Sequence, residues 1–241
     1  MLRTAGRILA CVTALAALAS CSSTGTAKKN TSRTFNTVVV DAGHGGRDSG
    51  ASRRFGPAEK FVTLDVAQRL NRKLRESQFK TVMTRSADVF VPLDQRVATG
   101  NRQGNSIFVS VHFNDSRRRG IHGFETYYAS PYARGLAERI QRKLLTLPGA
   151  SNRGAKTANF RVLRNAVYPS VLVECGFLSN RSEAAQARSG AYRDMLADKI
   201  SEAIVEERYG VGVYNAPPRL GPPIPADLTS GVPPSSSGGT R

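Results

Sequence analysis

The chain contains three short apolar runs, Thr37-Val38-Val39-Val40-Asp41, Ile107-Phe108-Val109-Ser110-Val111 and Val171-Leu172-Val173. Their length and β-branched content are typical of strands that are buried on both faces, as in parallel sheets. Each run leads to a residue that can bind or assist a metal ion: His44, His112 or Glu174. Ligands of open α/β sheets sit at the carboxyl ends of the strands. The three runs therefore predict a parallel sheet with a metal site at this edge.

The pattern around these runs alternates between strand and helix periodicity. Further strands are predicted at 79–84 and 123–129, and helices are predicted from about Ala58 onward and over 92–103, 131–146 and 190–209. A loop-rich stretch precedes the strand at 171–175. Strands that alternate with helices of this length indicate βαβ units. We expect a single α/β domain over residues 36–210, with a mostly parallel twisted sheet flanked by helices on both faces.

Both ends of the chain have the composition of appendages. Residues 1–20 combine basic residues, an apolar stretch and small residues, the pattern of a secretory signal peptide. Cys21 closes this segment in Leu18-Ala19-Ser20-Cys21, which resembles a bacterial lipobox and implies lipidation of Cys21. The alternative is an ordinary signal with a coincidental cysteine. Residues 21–35 are predicted to be a flexible linker spanning at most about 45–50 Å, and residues 211–241 a disordered tail rich in Pro, Gly and Ser.

The resemblance to a lipobox implies a protein that is exported across the inner membrane of a bacterium, faces the periplasm and is tethered to a membrane by its lipidated N-terminus. Ser22 after the cysteine favours the outer membrane of a double-membraned bacterium. The net charge of +17 favours an anionic partner. Because an exported protein seldom meets nucleic acid, we expect acidic wall polymer or a membrane surface, although a merely solvated basic surface remains the alternative. The densest basic patch is Arg117-Arg118-Arg119.

The cysteines exclude an intramolecular disulfide in the mature chain. Cys11 leaves with the signal and Cys21 carries lipid, so Cys175 alone remains. Side chains alternate between the faces of a strand. We therefore expect Cys175 to point away from Glu174, into the core.

The sequence Asp41-Ala42-Gly43-His44-Gly45-Gly46 favours an exposed histidine in a sharp turn. A phosphate-binding loop is the competing interpretation, but the glycine spacing of such loops is absent. Glu59 opens the next helix near the same sheet edge. With His112 it completes two imidazoles and one carboxylate, the set that suits one catalytic Zn²⁺ ion with an open fourth position.

Glu174 is a further carboxylate at this edge, available for proton transfer in the hydrolysis of an amide. The structural alternatives are a buried histidine for His44 and His112 and a hydrogen-bonded carboxylate for Glu174. For Glu59 the alternative is a first-turn carboxylate favoured by the helix dipole. Their joint placement at successive strand ends favours a catalytic site.

Several ordered motifs resemble one family, the zinc-dependent N-acetylmuramoyl-L-alanine amidases, in the branch that includes the cell-separation amidases. The resemblance covers roughly residues 36–209. It rests chiefly on Val40-Asp41-Ala42-Gly43-His44-Gly45-Gly46-Arg47-Asp48-Ser49-Gly50-Ala51, Glu59-Lys60, Thr84-Arg85, Leu93-Asp94-Gln95-Arg96, Ser110-Val111-His112-Phe113-Asn114, Gly123-Phe124-Glu125 and Val173-Glu174-Cys175-Gly176-Phe177.

The resemblance implies that His44, Glu59 and His112 are the zinc ligands and that Glu174 is the catalytic carboxylate. The implied reaction hydrolyses the amide between N-acetylmuramic acid and L-alanine of the peptidoglycan stem peptide. Asn114 would lie near the substrate, whereas His122 matches no ligand position.

Some cell-separation amidases insert a helix that plugs the zinc site, and this sequence has no room for one. We therefore expect an open site that needs no activator protein. Two alternatives to the amidase remain: another zinc peptidase or deacetylase directed at the wall, and an inactive wall-binding lipoprotein.

Overall fold

A computed structural model describes residues 27–51, 55–118 and 120–210. The predicted signal peptide, Cys21 and the predicted tail at 211–241 lie outside the described residues. Within the described ranges, no helix combines the length and the apolar character needed to span a membrane.

The domain is built on one six-stranded sheet with the order β2-β1-β3-β6-β4-β5. Strands β1, β2, β3 and β6 are parallel, β4 is antiparallel to β6, and β5 is parallel to β4. The strands are β1 Thr37–Ala42, β2 Lys80–Met83, β3 Ser106–Asn114, β4 Phe124–Tyr128, β5 Asn152–Thr157 and β6 Ser170–Phe177. This confirms the mostly parallel α/β sheet.

Six α-helices of the described residues surround the sheet. They are α1 Glu59–Glu76, α2 Leu93–Asn101, α3 Arg134–Leu144, α4 Arg161–Arg164, α5 Arg181–Arg188 and α6 Gly190–Tyr209. The helix predicted at 131–146 begins as a 3₁₀ turn, Pro131–Ala133, where Ser130 accepts a hydrogen bond from the Tyr132 N–H. The predictions did not include α5, or β5 and α4, which lie in the stretch expected to be loop.

Alternate strand residues pack on opposite faces of the sheet. Val38, Val109 and Val171 belong to the larger core, which is covered by α1, α3 and α6. Val39, Phe108 and Leu172 belong to a smaller core beneath α2 and α4. Helices on both faces were predicted and are confirmed. The thinner layer leaves the carboxyl ends of β1, β3 and β6 accessible on that side.

The packed domain begins before residue 36, which corrects part of the predicted linker. Phe35 is fully buried and stacks on Phe79 with ring centroids 5.5 Å apart. The Thr31 hydroxyl donates to the Ser106 carbonyl at 2.6 Å, and the Lys29 N–H donates to the Val167 carbonyl at 2.9 Å. The polar composition of this segment concealed these contacts, since most of them use backbone groups.

Candidate active site

The loop after β1 is fixed by two buried arginines. Arg85 donates to the carbonyls of Ala42 and Gly43 at 2.9 and 2.7 Å. Arg96 donates to the carbonyls of Ala42 and His44, each at 2.6 Å. His44 itself has a positive φ of 60°, which an L-residue adopts only where its surroundings hold it. The arginines supply that support and place the His44 ring above the sheet edge.

Glu59 lies between the two histidines. Its Oε2 is 3.0 Å from His44 Nε2, and its Oε1 is 3.0 Å from His112 Nδ1. The backbone N–H groups of Ala51 and Phe113 donate to the same carboxylate at 2.7 and 2.9 Å. The carboxylate therefore has a fixed orientation before any ion binds.

The cluster concentrates charge in a buried setting. Burial raises the pKa of Glu59, but hydrogen bonds from His112 and His44 outweigh it and hold this pKa well below its usual range. Burial lowers the pKa of His112, yet the Glu59 carboxylate raises it to about 9. The pKa of His44 is raised in the same way, despite burial, by Glu59. Without a metal, the Glu59 carboxylate thus pairs with two protonated imidazoles, which would release their protons on binding an ion as neutral ligands.

The residues present fit a zinc ion. His44, Glu59 and His112 each offer one ligand atom, and these atoms lie within 4.8 Å of one another. Two imidazoles and one carboxylate are a known ligand set of catalytic zinc. The second ring nitrogen of His44, Nδ1, donates to Asp48 at 2.9 Å, the outer-shell contact that orients a metal-binding histidine.

Two further carboxylates, Glu174 and Glu125, lie beside His112 on one face of the sheet. Glu174 on β6 is the register partner of His112 on β3 and of Glu125 on β4. Glu125 accepts four hydrogen bonds, whereas Glu174 Oε2 is buried and has no partner among the described residues. Burial raises the pKa of Glu174 to about 7. An unpaired carboxyl with this pKa is suited to accept and donate a proton near neutral pH.

A cleft of about 390 Å³ opens beside these groups. Its wall includes the apolar side chains Phe90, Leu93 and Phe160, which are 39–52% exposed. His112 and Glu174 line its base. The cleft gives a substrate of some size access to both groups.

Comparison with known proteins identifies the family. The model of the N-acetylmuramoyl-L-alanine amidase family, Amidase_3, matches residues 38–206. The chain belongs to this family. The match spans β1 to α6 and includes all four residues of the predicted site.

Two curated relatives from Bacillus subtilis strain 168 are similar to this amidase domain. N-acetylmuramoyl-L-alanine amidase LytC is 40% identical over 173 residues, which are 70% of this chain and 35% of LytC. The uncharacterized protein YqiI is 40% identical over 172 residues, 70% of this chain and 82% of YqiI. The chain thus spans about a third of the length of LytC.

Solved amidase structures share the fold. Amidase AmiC2 of Nostoc punctiforme aligns with a TM-score of 0.68 and 37% identity, over 70% of this chain and 95% of AmiC2. The catalytic domain of CwlV from Bacillus (Paenibacillus) polymyxa aligns with a TM-score of 0.65 and 34% identity, over 71% of this chain and 97% of that domain.

Other residues singled out in the sequence have clear positions in the amidase domain. Asn114 donates from Nδ2 to Glu125 Oε2 at 2.8 Å, so its amide faces a carboxylate beside the cleft. His122 is exposed, and its Nδ1 lies 2.7 Å from the Gly120 carbonyl, away from the group of His44, Glu59 and His112. Cys175 lies in the larger core as predicted, and burial raises the pKa of its thiol.

Sequence reasoning did not assign roles to Arg85, Arg96 or Glu125. All three are charged residues beside apolar segments, and all three are buried. A charge that the fold must bury usually has a partner. That expectation was the available signal, but it names no partner.

Proposed function

We propose that this chain is a zinc-dependent N-acetylmuramoyl-L-alanine amidase that hydrolyses the amide between N-acetylmuramic acid and L-alanine of the stem peptide. The observation that carries the proposal is the unpaired buried oxygen of Glu174 beside the His44, Glu59 and His112 ligand set. Family membership supports the substrate.

His44, Glu59 and His112 would hold the zinc ion, which when bound acts as a Lewis acid on the substrate carbonyl and lowers the pKa of water. Glu174 takes a proton from the attacking water while the oxygen of that water bonds to the lactyl carbonyl carbon. The carbon–nitrogen bond then breaks, and Glu174 donates the proton to the nitrogen of the leaving L-alanine. Burial, which raises the pKa of Glu174, favours its acting first as the base and then as the acid.

Mass spectrometry of purified sacculi tests the reaction. Digestion should release peptides with a free N-terminal L-alanine, and a chelator should stop their release until zinc is restored. A zinc peptidase would release shorter peptides, and a deacetylase would leave sugars without acetyl groups. Binding without any metal-dependent turnover would instead identify an inactive wall-binding protein.

The restraint on this activity would be location. We infer that Cys21 carries lipid, that the domain faces the periplasm from the outer membrane, and that no activator protein is needed. The partly exposed side chains of His44 and His112 support an open site. A soluble form without residues 1–21 should digest sacculi alone, and an absolute need for a second protein would contradict this.

A further inference from the structure

The Glu125 carboxylate is saturated with donors. Its Oε1 accepts from Arg153 Nε at 2.9 Å and from Lys156 Nζ at 2.8 Å. Its Oε2 accepts from Asn114 Nδ2 and from the Tyr127 hydroxyl, both at 2.8 Å. A carboxylate has about four acceptor sites. Glu125 can therefore accept little more, and it serves as a fixed support for its donors.

The two cations on Glu125 have donors to spare. Arg153 uses only Nε, and its two terminal nitrogens have no acceptor among the described residues. Its guanidinium group lies over the Phe177 ring, 5.2 Å from the centroid, which restrains it. Arg153 and Lys156 are 33% and 43% exposed in their side chains, whereas Glu125 is 4% exposed. Two cations on one buried anion give these three residues one net positive charge, and the Glu183 carboxylate also lies within electrostatic reach of Arg153.

Strand register places this charge next to the proposed reaction centre. Glu125 on β4 pairs directly with Glu174 on β6, so their side chains lie on the same face. Such partners have Cβ atoms about 4.5–5.5 Å apart. Arg153 and Lys156 lie on β5, the strand beyond β4, so their backbone starts about two strand spacings, roughly 10 Å, from that of Glu174.

The chemistry of the substrate identifies what such a charge would bind. The lactyl carboxyl of N-acetylmuramic acid is consumed in the amide, so the sugar is uncharged there. Fixed negative charges near the scissile bond belong to the leaving peptide. We propose that Arg153 and Lys156 form a subsite for the carboxylate on the residue that follows L-alanine. This inference rests on the proposed function.

Two matched substrates test the subsite. Both are N-acetylmuramoyl peptides beginning with L-alanine, and they differ only in a free carboxylate or a carboxamide on the second residue. The zinc-loaded full chain should cleave the carboxylate substrate with about ten-fold higher kcat/KM than the carboxamide substrate, since hydrogen bonds to charged groups are stronger than those to neutral groups. Calorimetry should show the same preference for the two leaving peptides.

Arg153→Gln should lower kcat/KM for the carboxylate substrate about ten-fold and leave the carboxamide substrate unchanged. Arg153→Lys should recover part of the loss, and Lys156→Gln provides a second variant on an exposed side chain. Arg134→Gln is the matched control, because Arg134 forms an exposed pair with Glu138 on α3. Arg134→Gln should leave kcat/KM unchanged for both substrates.

Equal losses on both substrates in Arg153→Gln and Lys156→Gln would mean that the cations only support Glu125, and would overturn the subsite. Equal cleavage of both substrates by the unaltered chain would also overturn it. Failure of the proposed reaction looks different. Neither substrate would then release a peptide with free L-alanine, while calorimetry would still report any preference for the carboxylate.

Discussion

Glu174 on β6 and Glu125 on β4 are direct partners on adjacent strands, but they differ in their hydrogen bonds. Because Glu174 has an unpaired oxygen and no ligand role, Glu174→Gln should keep zinc and lower kcat by about 10²–10⁴. His112→Ala should lose both zinc and activity. Metal analysis of the dialysed variants, with turnover measured on soluble muropeptides, checks both outcomes. Full zinc occupancy in His112→Ala would contradict the ligand assignment.

Asp41 is a buried carboxylate that holds the loop arginine Arg96. It accepts from Arg96 Nη1 at 2.8 Å and from the hydroxyls of Thr84 and Ser110, each at 2.6 Å. Asp41→Asn leaves the Arg96 charge without its partner and should lower the free energy of unfolding by about 3–5 kcal/mol. Urea denaturation measures this. Asp198→Asn breaks a more exposed pair with Lys73 and should cost about 1 kcal/mol or less.

The ion pair between Asp41 and Arg96 predicts how the stability of the fold depends on pH. Burial raises the pKa of Asp41, but Arg96 and the two hydroxyls outweigh it and hold the pKa below the ordinary 3.8. A carboxyl with a lowered folded-state pKa stabilises above its unfolded-state pKa, and this stability is lost as pH falls through the folded value. Unfolding followed from pH 6 downward should therefore show a shallower acid loss in Asp41→Asn. Identical slopes would rule out this role for Asp41.

The residues at the strand ends could be predicted because burial and strand period leave few places for a polar side chain. His44, His112 and Glu174 each interrupt or end an apolar run. Saturation of Glu125 could not be predicted, since its donors Arg153 and Lys156 come from β5, a strand without an apolar pattern. Which carboxylate is free depends on pairing between distant segments.

At the scale of elements, the loop between β1 and α1 depends on close approach to β3. A Cβ added at Gly43 would lie 2.4 Å from Cε1 of His112. Gly43→Ala should therefore displace the His112 ring and reduce zinc occupancy and turnover together. Gly104→Ala is the control, because a Cβ there meets nothing within 4 Å. Metal analysis and sacculus digestion compare the two variants, and full zinc occupancy in Gly43→Ala would show that the ring has room to move.

The apolar strands were predictable because both of their faces are buried, and β5 was not. Strand β5 has the sequence NRGAKT and lies at the edge of the sheet, where three of its residues are exposed and three are half-buried. The antiparallel direction of β4 was likewise unreadable, since local periodicity carries no strand direction. These two elements carry Glu125, Arg153 and Lys156, so the sequence predicted the group of His44, Glu59 and His112 but not the cluster around Glu125.

At the scale of the whole molecule, the N-terminal segment runs along the sheet edge opposite the site. Its contacts are with Ser106, at the start of β3, and with Val167, just before β6. The site lies at the other ends of these strands. Strand β3 has 9 residues, a length of about 30 Å. A membrane anchor that precedes this segment would therefore join the domain on the side away from the cleft.

Packing of residues 28–35 also shortens the tether. Between Cys21 and Lys28 a fully extended chain covers about 25 Å, roughly half the reach expected from a free linker to residue 35. If Cys21 is lipidated, Cys21→Ser should move the protein from the membrane to the soluble fraction. Its kcat/KM on soluble muropeptides should not change, since the anchor is attached opposite the cleft. Fractionation with labelled fatty acid measures the first effect.

Cys175→Ala is the control for this change, because Cys175 is the cysteine buried in the larger core and cannot carry lipid there. It should stay with the membrane and incorporate the label as the unaltered chain does. Retention of Cys21→Ser in the membrane fraction would show that another feature holds the protein there, and the basic surface would be the first to test, by raising the salt concentration. On intact sacculi, by contrast, the anchored form should act only on wall within reach of the short tether. Inserting a flexible segment after Cys21 should therefore extend the digested layer, and turnover on soluble substrate should not change.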